Sequence, residues 1–120
     1  RSKMPKIDLG YGYIEYGGNE VTIATTIDDP PKIRLATPKF GDSVSLGAVT
    51  FSRLRPDGKQ EEMIIIQGKQ DERYRNNPLN YSGELTIHIR KHDPSLPDDK
   101  QMVKVLELRN DSIWVKGIHG

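Results

Sequence analysis

A chain of 120 residues, 34% of them hydrophobic, makes one domain or one segment of a longer repetitive protein. Its 18 basic and 17 acidic residues leave a formal charge of +1, which excludes the clustered basic excess of a nucleic-acid footprint and any electrostatic pull towards a membrane. No apolar run approaches the roughly 18 residues of a spanning helix, so no membrane insertion is expected, and without cysteine there is no disulfide or thiolate chemistry.

Arg1-Ser2 precedes the first methionine, Met4, and reads as an expression scar or the edge of an excised fragment, with no signal peptide visible. Residues 1–45 read as an N-terminal β segment. Ile7 to Tyr16 is a strand rich in Tyr and Ile, Gly17-Gly18-Asn19 a hairpin-type turn, and Val21-Thr22-Ile23 a second strand. Asp28-Asp29-Pro30-Pro31 ends the unit, because proline cannot donate to a ladder and restricts the residue before it. Lys32-Ile33-Arg34-Leu35 alternates as a short edge or crossing strand, closed by Pro38 and Gly41-Asp42.

Residues 46–120 read as a β-hairpin module. Leu46 to Leu54 and Glu61 to Gln67 pair across Arg55-Pro56-Asp57-Gly58, a turn whose proline and glycine supply the required backbone angles. Met63-Ile64-Ile65-Ile66 is apolar on both faces and asks for cover on both sides. Residues 68–82 show no periodic apolar signal and read as a long loop. Leu85, Ile87 and Ile89 alternate with Thr86, His88 and Arg90, and 93–99 make a second long turn. From Gln101 to Leu108 two readings stand, a helix capped by Asp98 or Asp99 and a strand whose facing switches at a bulge; the strand is favoured because the preceding units are hairpins. Arg109-Asn110-Asp111 turns into a last strand, Ser112 to Val115, ended by Gly117.

One pattern recurs: glycine, a free position, an aliphatic, a polar residue, then Phe, Ile or Tyr. It occupies Gly12-Tyr13-Ile14-Glu15-Tyr16, Gly47-Ala48-Val49-Thr50-Phe51 and Gly83-Glu84-Leu85-Thr86-Ile87, at spacings of 35 and 36 residues (12 to 47 to 83). Near-constant spacing suggests a repeated strand unit. With 11 glycines, 8 prolines and few apolar residues such a chain has a thin private core, which sharing between chains would thicken.

Few residues are arranged for chemistry. His88 and His92 are four apart, a metal-binding spacing on a helix, but Asp93-Pro94 and the strand pattern deny a helix there, and His88 is expected to face solvent. Asp28-Asp29, Asp98-Asp99 and Glu61-Glu62 are adjacent pairs whose side chains point apart on a strand, so they read as solvated turn or strand-start residues. Gly10-Tyr11-Gly12 and Gly17-Gly18 have no capped helix after them, and Ser43, Ser45 and Ser52 lack an elbow motif. Asp71-Glu72-Arg73-Tyr74-Arg75 gathers acidic, basic and phenolic groups, a set suited to a uronate or other sugar. No catalytic residue, metal site or cofactor is expected.

Taken together, Leu46-Gly47-Ala48-Val49-Thr50-Phe51, the charged 53–58 turn, Met63-Ile64-Ile65-Ile66-Gln67-Gly68, the Asn-rich insert, Ser82-Gly83-Glu84-Leu85-Thr86-Ile87 and Val105-Leu106-Glu107-Leu108 with Asp111-Ser112-Ile113-Trp114-Val115 resemble the shaft repeats of bacteriophage tail fibres and tailspikes. The resemblance spans roughly residues 46–118, in a module that often precedes the trimerising chaperone of endosialidase-like tailspikes. Ile87, where threonine or an aromatic is usual, and Trp114, where small aliphatics are usual, depart from that pattern. The resemblance implies an all-β homotrimer of short antiparallel strands and hairpins, a β-prism or triple β-helix-like fibre segment; a threefold axis could gather three copies of one histidine, and Ile87 and Ile89 facing outward would make His88 the candidate.

The function expected on these grounds is a structural, receptor-facing segment of a trimeric viral tail fibre in the virion, binding host-surface carbohydrate without catalysis. Receptor contact is expected in the loop carrying Arg73, Tyr74, Arg75, Asn76, Asn77, Asn80 and Tyr81, where tyrosine offers a flat face for a sugar and Arg and Asn supply donors. Two other readings stand: a tailspike-type polysaccharide lyase or hydrolase segment acting through Arg73, Tyr74, Arg75 and acidic neighbours across a chain interface, and a monomeric carbohydrate-binding β-sandwich.

Overall fold

The structure, a computed structural model, describes residues 5–9, 12–17, 20–25, 32–35, 44–71, 80–81, 84–109 and 112–116. These residues form strands β1 (Lys6–Asp8), β2 (Gly12–Gly17), β3 (Glu20–Thr25), β4 (Lys32–Leu35), β5 (Val44–Leu54), β6 (Gln60–Asp71), β7 (Asn80–Tyr81), β8 (Glu84–Arg90), β9 (Met102–Arg109) and β10 (Ser112–Val115), with one 3-10 turn at Asp98–Lys100. The chain is therefore all-β. The strands lie in two five-stranded sheets, ordered β1-β2-β3-β4-β7 and β10-β9-β8-β6-β5. Every pairing is antiparallel except β4 with β7, which is parallel. Both are open sheets, and the described residues form no closed prism or triple β-helix.

One core joins the two sheets. Ile7, Leu9, Ile14, Val21 and Ile23 come from the first, and Met63, Ile64, Ile66, Leu85, Ile87, Ile89, Val105 and Leu106 from the second. In the first sheet Ile7, Ile14 and Ile23 stand side by side across β1, β2 and β3. In the second, Val49, Ile66, Ile87, Leu106 and Val115 form one such row across all five strands. Each buried Leu or Ile removed from water contributes about 1.5–3 kcal/mol before chain entropy is counted.

Two bulges decide which side chains reach that core. Phe51 pairs with Ile64 and Ser52 with Glu62, so Met63 is an extra residue, and Met63 and its neighbour Ile64 are both buried. The apolar run Met63–Ile66 is thus a bulged strand: Met63, Ile64 and Ile66 are covered by this chain itself, and Ile65 alone faces the other way. Outside cover, the sequence-level ground for an interwoven trimer, is not what buries these three side chains. Likewise Ile87 pairs with Leu106 and His88 with Lys104, which makes Val105 the extra residue and buries both Val105 and Leu106. The stretch read as either helix or strand is this bulged strand.

Other expectations shift in detail. Ile7 to Tyr16 is two antiparallel strands, because the chain reverses between Leu9, whose amide donates to Gly12, and β2. Where it is described, the stretch 68–82 expected as a loop is strand: β6 continues to Asp71, paired against Val44, and Asn80–Tyr81 form β7, while 72–79 and Ser82 lie outside the described residues. The extension of β6 is polar and carries no apolar period. The turns at Gly18-Asn19, Asp28–Pro31, Pro38–Asp42 and Asn110-Asp111, together with Gly83, Gly117 and His119, lie outside the described residues.

Candidate ligand-binding face

The side of the second sheet turned away from the core carries polar rows. Register places Ala48, Gln67, Thr86, Glu107 and Trp114 side by side across β5, β6, β8, β9 and β10. A neighbouring row holds Thr50, Ile65, His88 and Lys104. On the other flank Lys69 and Glu84 form an ion pair at 2.8 Å, and Glu84 stands opposite Arg109. Lys69, Glu84 and Arg109 with Gln67, Thr86 and Glu107 ring a shallow depression of about 230 Å³, floored where Gly68, Leu85 and Leu108 pass beneath. A second hollow of about 330 Å³ adjoins it at Gly47, Ala48, Gln67 and Gly68.

The bulge at Val105 organises the charges. Residues three apart on a regular strand face opposite sides, yet Lys104 and Glu107 share this face and bond at 3.1 Å. Arg109 donates to the other carboxylate oxygen at 3.0 Å. The Lys104 hydrogen bond, and then that of Arg109, hold the Glu107 carboxyl below the usual carboxylate range against the opposing cost of desolvation. Lys104 also places its ammonium 4.6 Å from the centre of the Trp114 ring. Trp114 keeps much of its indole exposed at the sheet edge.

His88, expected to be solvent-exposed, is only half exposed, because Ile65 and Lys104 flank it on neighbouring strands. Its Nδ1 is buried without a hydrogen-bond partner. Desolvation first and the Lys104 charge second push its pKa below the ordinary imidazole value. His92 is exposed, lies in the turn after β8 with φ 59°, and has its pKa lowered by desolvation and by Arg53 and Arg90 against the pull of Glu61. Among the described residues no three His, Asp or Glu side chains gather in a way that would hold a metal ion, and no helix is long and apolar enough to cross a membrane.

Of the residues expected to contact a receptor, Arg73, Tyr74, Arg75, Asn76 and Asn77 lie outside the described residues. Asn80 and Tyr81 form β7, which pairs with Arg34 and Leu35 of β4. Sequence reasoning passed over Gln67, Thr86, Glu107 and Trp114, since their alignment depends on register between strands. The available signal was Trp114 itself, the one tryptophan of the chain, placed in a terminal strand.

Comparison with known proteins finds no matching family model, no similar curated protein and no solved structure of matching fold.

Proposed function

We propose that the chain is a non-catalytic binding module of a viral tail fibre, presenting the outer face of its second sheet to carbohydrate of the host surface. The observation that carries this reading is the partly exposed indole of Trp114 at the edge of a polar depression lined by Gln67, Thr86, Glu107 and Arg109. An aromatic ring offers a flat apolar surface to the C–H face of a sugar, while amide, hydroxyl and charged groups exchange hydrogen bonds with its hydroxyls. Glu107 does not suit the part of a general acid, which needs its pKa raised, because two cations lower this one. Single contacts of about 0.5–1.5 kcal/mol make one such site weak, and several copies on one fibre would multiply it.

Binding to immobilised host-surface polysaccharides tests the reading. Trp114→Ala is expected to weaken binding at least about tenfold with the melting transition retained, and Gln67→Ala with Thr86→Ala to weaken it further. Unchanged binding by a folded Trp114→Ala variant, absence of binding by the wild-type chain, or release of reducing ends would each overturn it.

A further inference from the structure

Among the described residues four strands end the two sheets, and three carry a device against edge pairing. β1 has three residues, two of them charged; β7 has two residues; β5 runs opposite the bulge that Met63 makes in β6 and carries the charge of Arg53. β10 has none of these. Ser112-Ile113-Trp114-Val115 holds no charge and no proline, pairs regularly with β9, and leaves Ile113 47%, Trp114 41% and Val115 42% exposed.

The polarity of this edge follows from one hydrogen bond. The Lys116 amide donates to the Val105 carbonyl at 2.9 Å, in line with the β9–β10 register. Bonded and non-bonded pairs alternate along an antiparallel ladder, so Trp114 and Ser112 also bond to β9. The N–H and C=O groups of Ile113 and Val115 therefore point away from β9, towards the open edge.

We propose that β10 pairs antiparallel with β10 of a second copy of this chain, about a twofold axis at Trp114. In that register Ile113 stands opposite the partner's Val115, and Val115 opposite the partner's Ile113. All four outward groups of each strand are then bonded. Trp114 meets the partner's Trp114 in a non-bonded pair, the closer kind, with the two indoles on one face. On the other face Ile113 and the partner's Val115 continue the apolar row of Leu106 and Leu108. The partner's Lys116 stands diagonally beside Trp114, so its cation complements a ring that already attracts Lys104. Sliding by one residue would set apolar side chains on the wrong faces, and sliding by two would strand part of the bonding groups. The contact is far smaller than the roughly 1,200 Å² of a stable interface, so the dimer is concentration-dependent. It would also join two outer faces into one continuous surface.

Sedimentation equilibrium with tryptophan emission, over a range of concentrations, tests this on the 120-residue chain. The mass is expected to rise from 13.6 kDa towards twice that value, with emission from the sole tryptophan shifting to the blue in parallel. Val115→Pro removes an amide that bonds only across the new contact. It is expected to weaken dimerisation at least about tenfold and keep the monomer folded. Trp114→Lys, which opposes two like charges, replaces it if the proline variant does not fold. A constant monomer mass, a threefold mass, or undiminished dimerisation of a folded edge variant would overturn the proposal.

Discussion

Arg90 and Asp98 are paired at 3.0 Å, although the arginine side chain is only 6% exposed and the aspartate 73% exposed. The same guanidinium donates to the Glu62 carbonyl and lies 4.0 Å from the Glu61 carboxylate. Arg90 thereby ties the end of β8 to the start of β6 and to the 3-10 turn. The adjacent acidic pairs at 61–62 and 98–99 read as solvated from sequence, yet one member of each partners this cation. Removing Asp98 leaves the other acceptors, so Asp98→Ala is expected to cost about 1 kcal/mol. Arg90→Ala strips the Glu62 carbonyl of its donor and the core rim of a long stem, and is expected to cost about 2–4 kcal/mol. Urea denaturation of both variants checks the order.

The turn between β8 and β9 depends on one amide. Gln101, buried, accepts from the Asp93 amide at 2.9 Å and donates to the Asp93 and Leu96 carbonyls at 2.6 and 3.0 Å. Gln101→Ala removes one hydrogen bond from each of three backbone groups, of which the Asp93 carbonyl keeps the Leu96 amide at 3.1 Å. The expected loss is about 2 kcal/mol, with Gln101→Glu failing to rescue it because a carboxylate cannot donate to those carbonyls. Hydrogen exchange at the Asp93 amide is the local readout and should accelerate first.

Protonating His88 opposes folding. Its pKa in the folded chain lies below the ordinary value of 6.5 because of desolvation and Lys104, so between the two values the unfolded chain binds more protons. Stability should therefore fall as pH drops through about 6.5 and level off below the folded pKa. His92, lowered for similar reasons, adds a slope of the same sign. His88→Val keeps the β preference beside Ile65 and removes a buried nitrogen that has no partner. It should flatten part of the slope and leave stability near pH 8 equal or higher. Thermal melts from pH 5 to 8, with NMR titration of each imidazole, check this.

What was legible in the sequence was the alternation. In every copy of the glycine-led pattern the third and fifth residues face the core: Ile14 with Tyr16, Val49 with Phe51, and Leu85 with Ile87. The copies are not equivalent units, since Gly12 opens β2 in the first sheet while Gly47 lies inside β5 in the second. The recurrence therefore reports burial by period two, which any strand over a core shares. Less legible were the two bulges, because an added residue changes which neighbours are opposite without changing composition. The run Met63–Ile66 suggested cover on two sides for that reason, while Val105-Leu106 was read with a facing switch as one of its alternatives. The candidate face was not legible, since Gln67, Thr86, Glu107 and Trp114 meet only through three strand registers.

The hairpin turn gives a separate check on reading from sequence. Gly58 has φ +86°, in the left-handed region, with no atom within 4 Å of where a Cβ would stand. Its amide donates to the Arg55 carbonyl at 2.9 Å, and the Asp57 side chain accepts from the Lys59 amide at 3.0 Å. Gly58→Ala meets no clash, so its cost is conformational alone, about 1 kcal/mol. Gly58→Asn should recover part of that loss, because asparagine tolerates this region. A loss of several kcal/mol in denaturation experiments would show that a contact, not the backbone angle, sets the cost.

Glu107 gives the test that bears most directly on the proposed face. Its carboxylate is shared by Lys104 and Arg109, so Glu107→Gln releases two cations beside Trp114 without changing the side chain's size. In the folded chain the carboxyl titrates below its ordinary 4.5, so the stability it contributes is present above that value and is lost as pH falls through the folded pKa. The glutamine variant should therefore be slightly less stable than the wild type at neutral pH and lose correspondingly less on acidification, a small difference because the pair is screened by water. Binding should respond in a different way. With Lys69 still tied to Glu84, the freed Lys104 and Arg109 leave the face positive. Acidic saccharides should then bind more tightly and with a steeper salt dependence, while neutral ones should hardly change. If acidic and neutral saccharides respond alike to Glu107→Gln across 50–500 mM salt, roughly the range over which exposed charges become screened, the depression around Glu107 is not where the sugar sits.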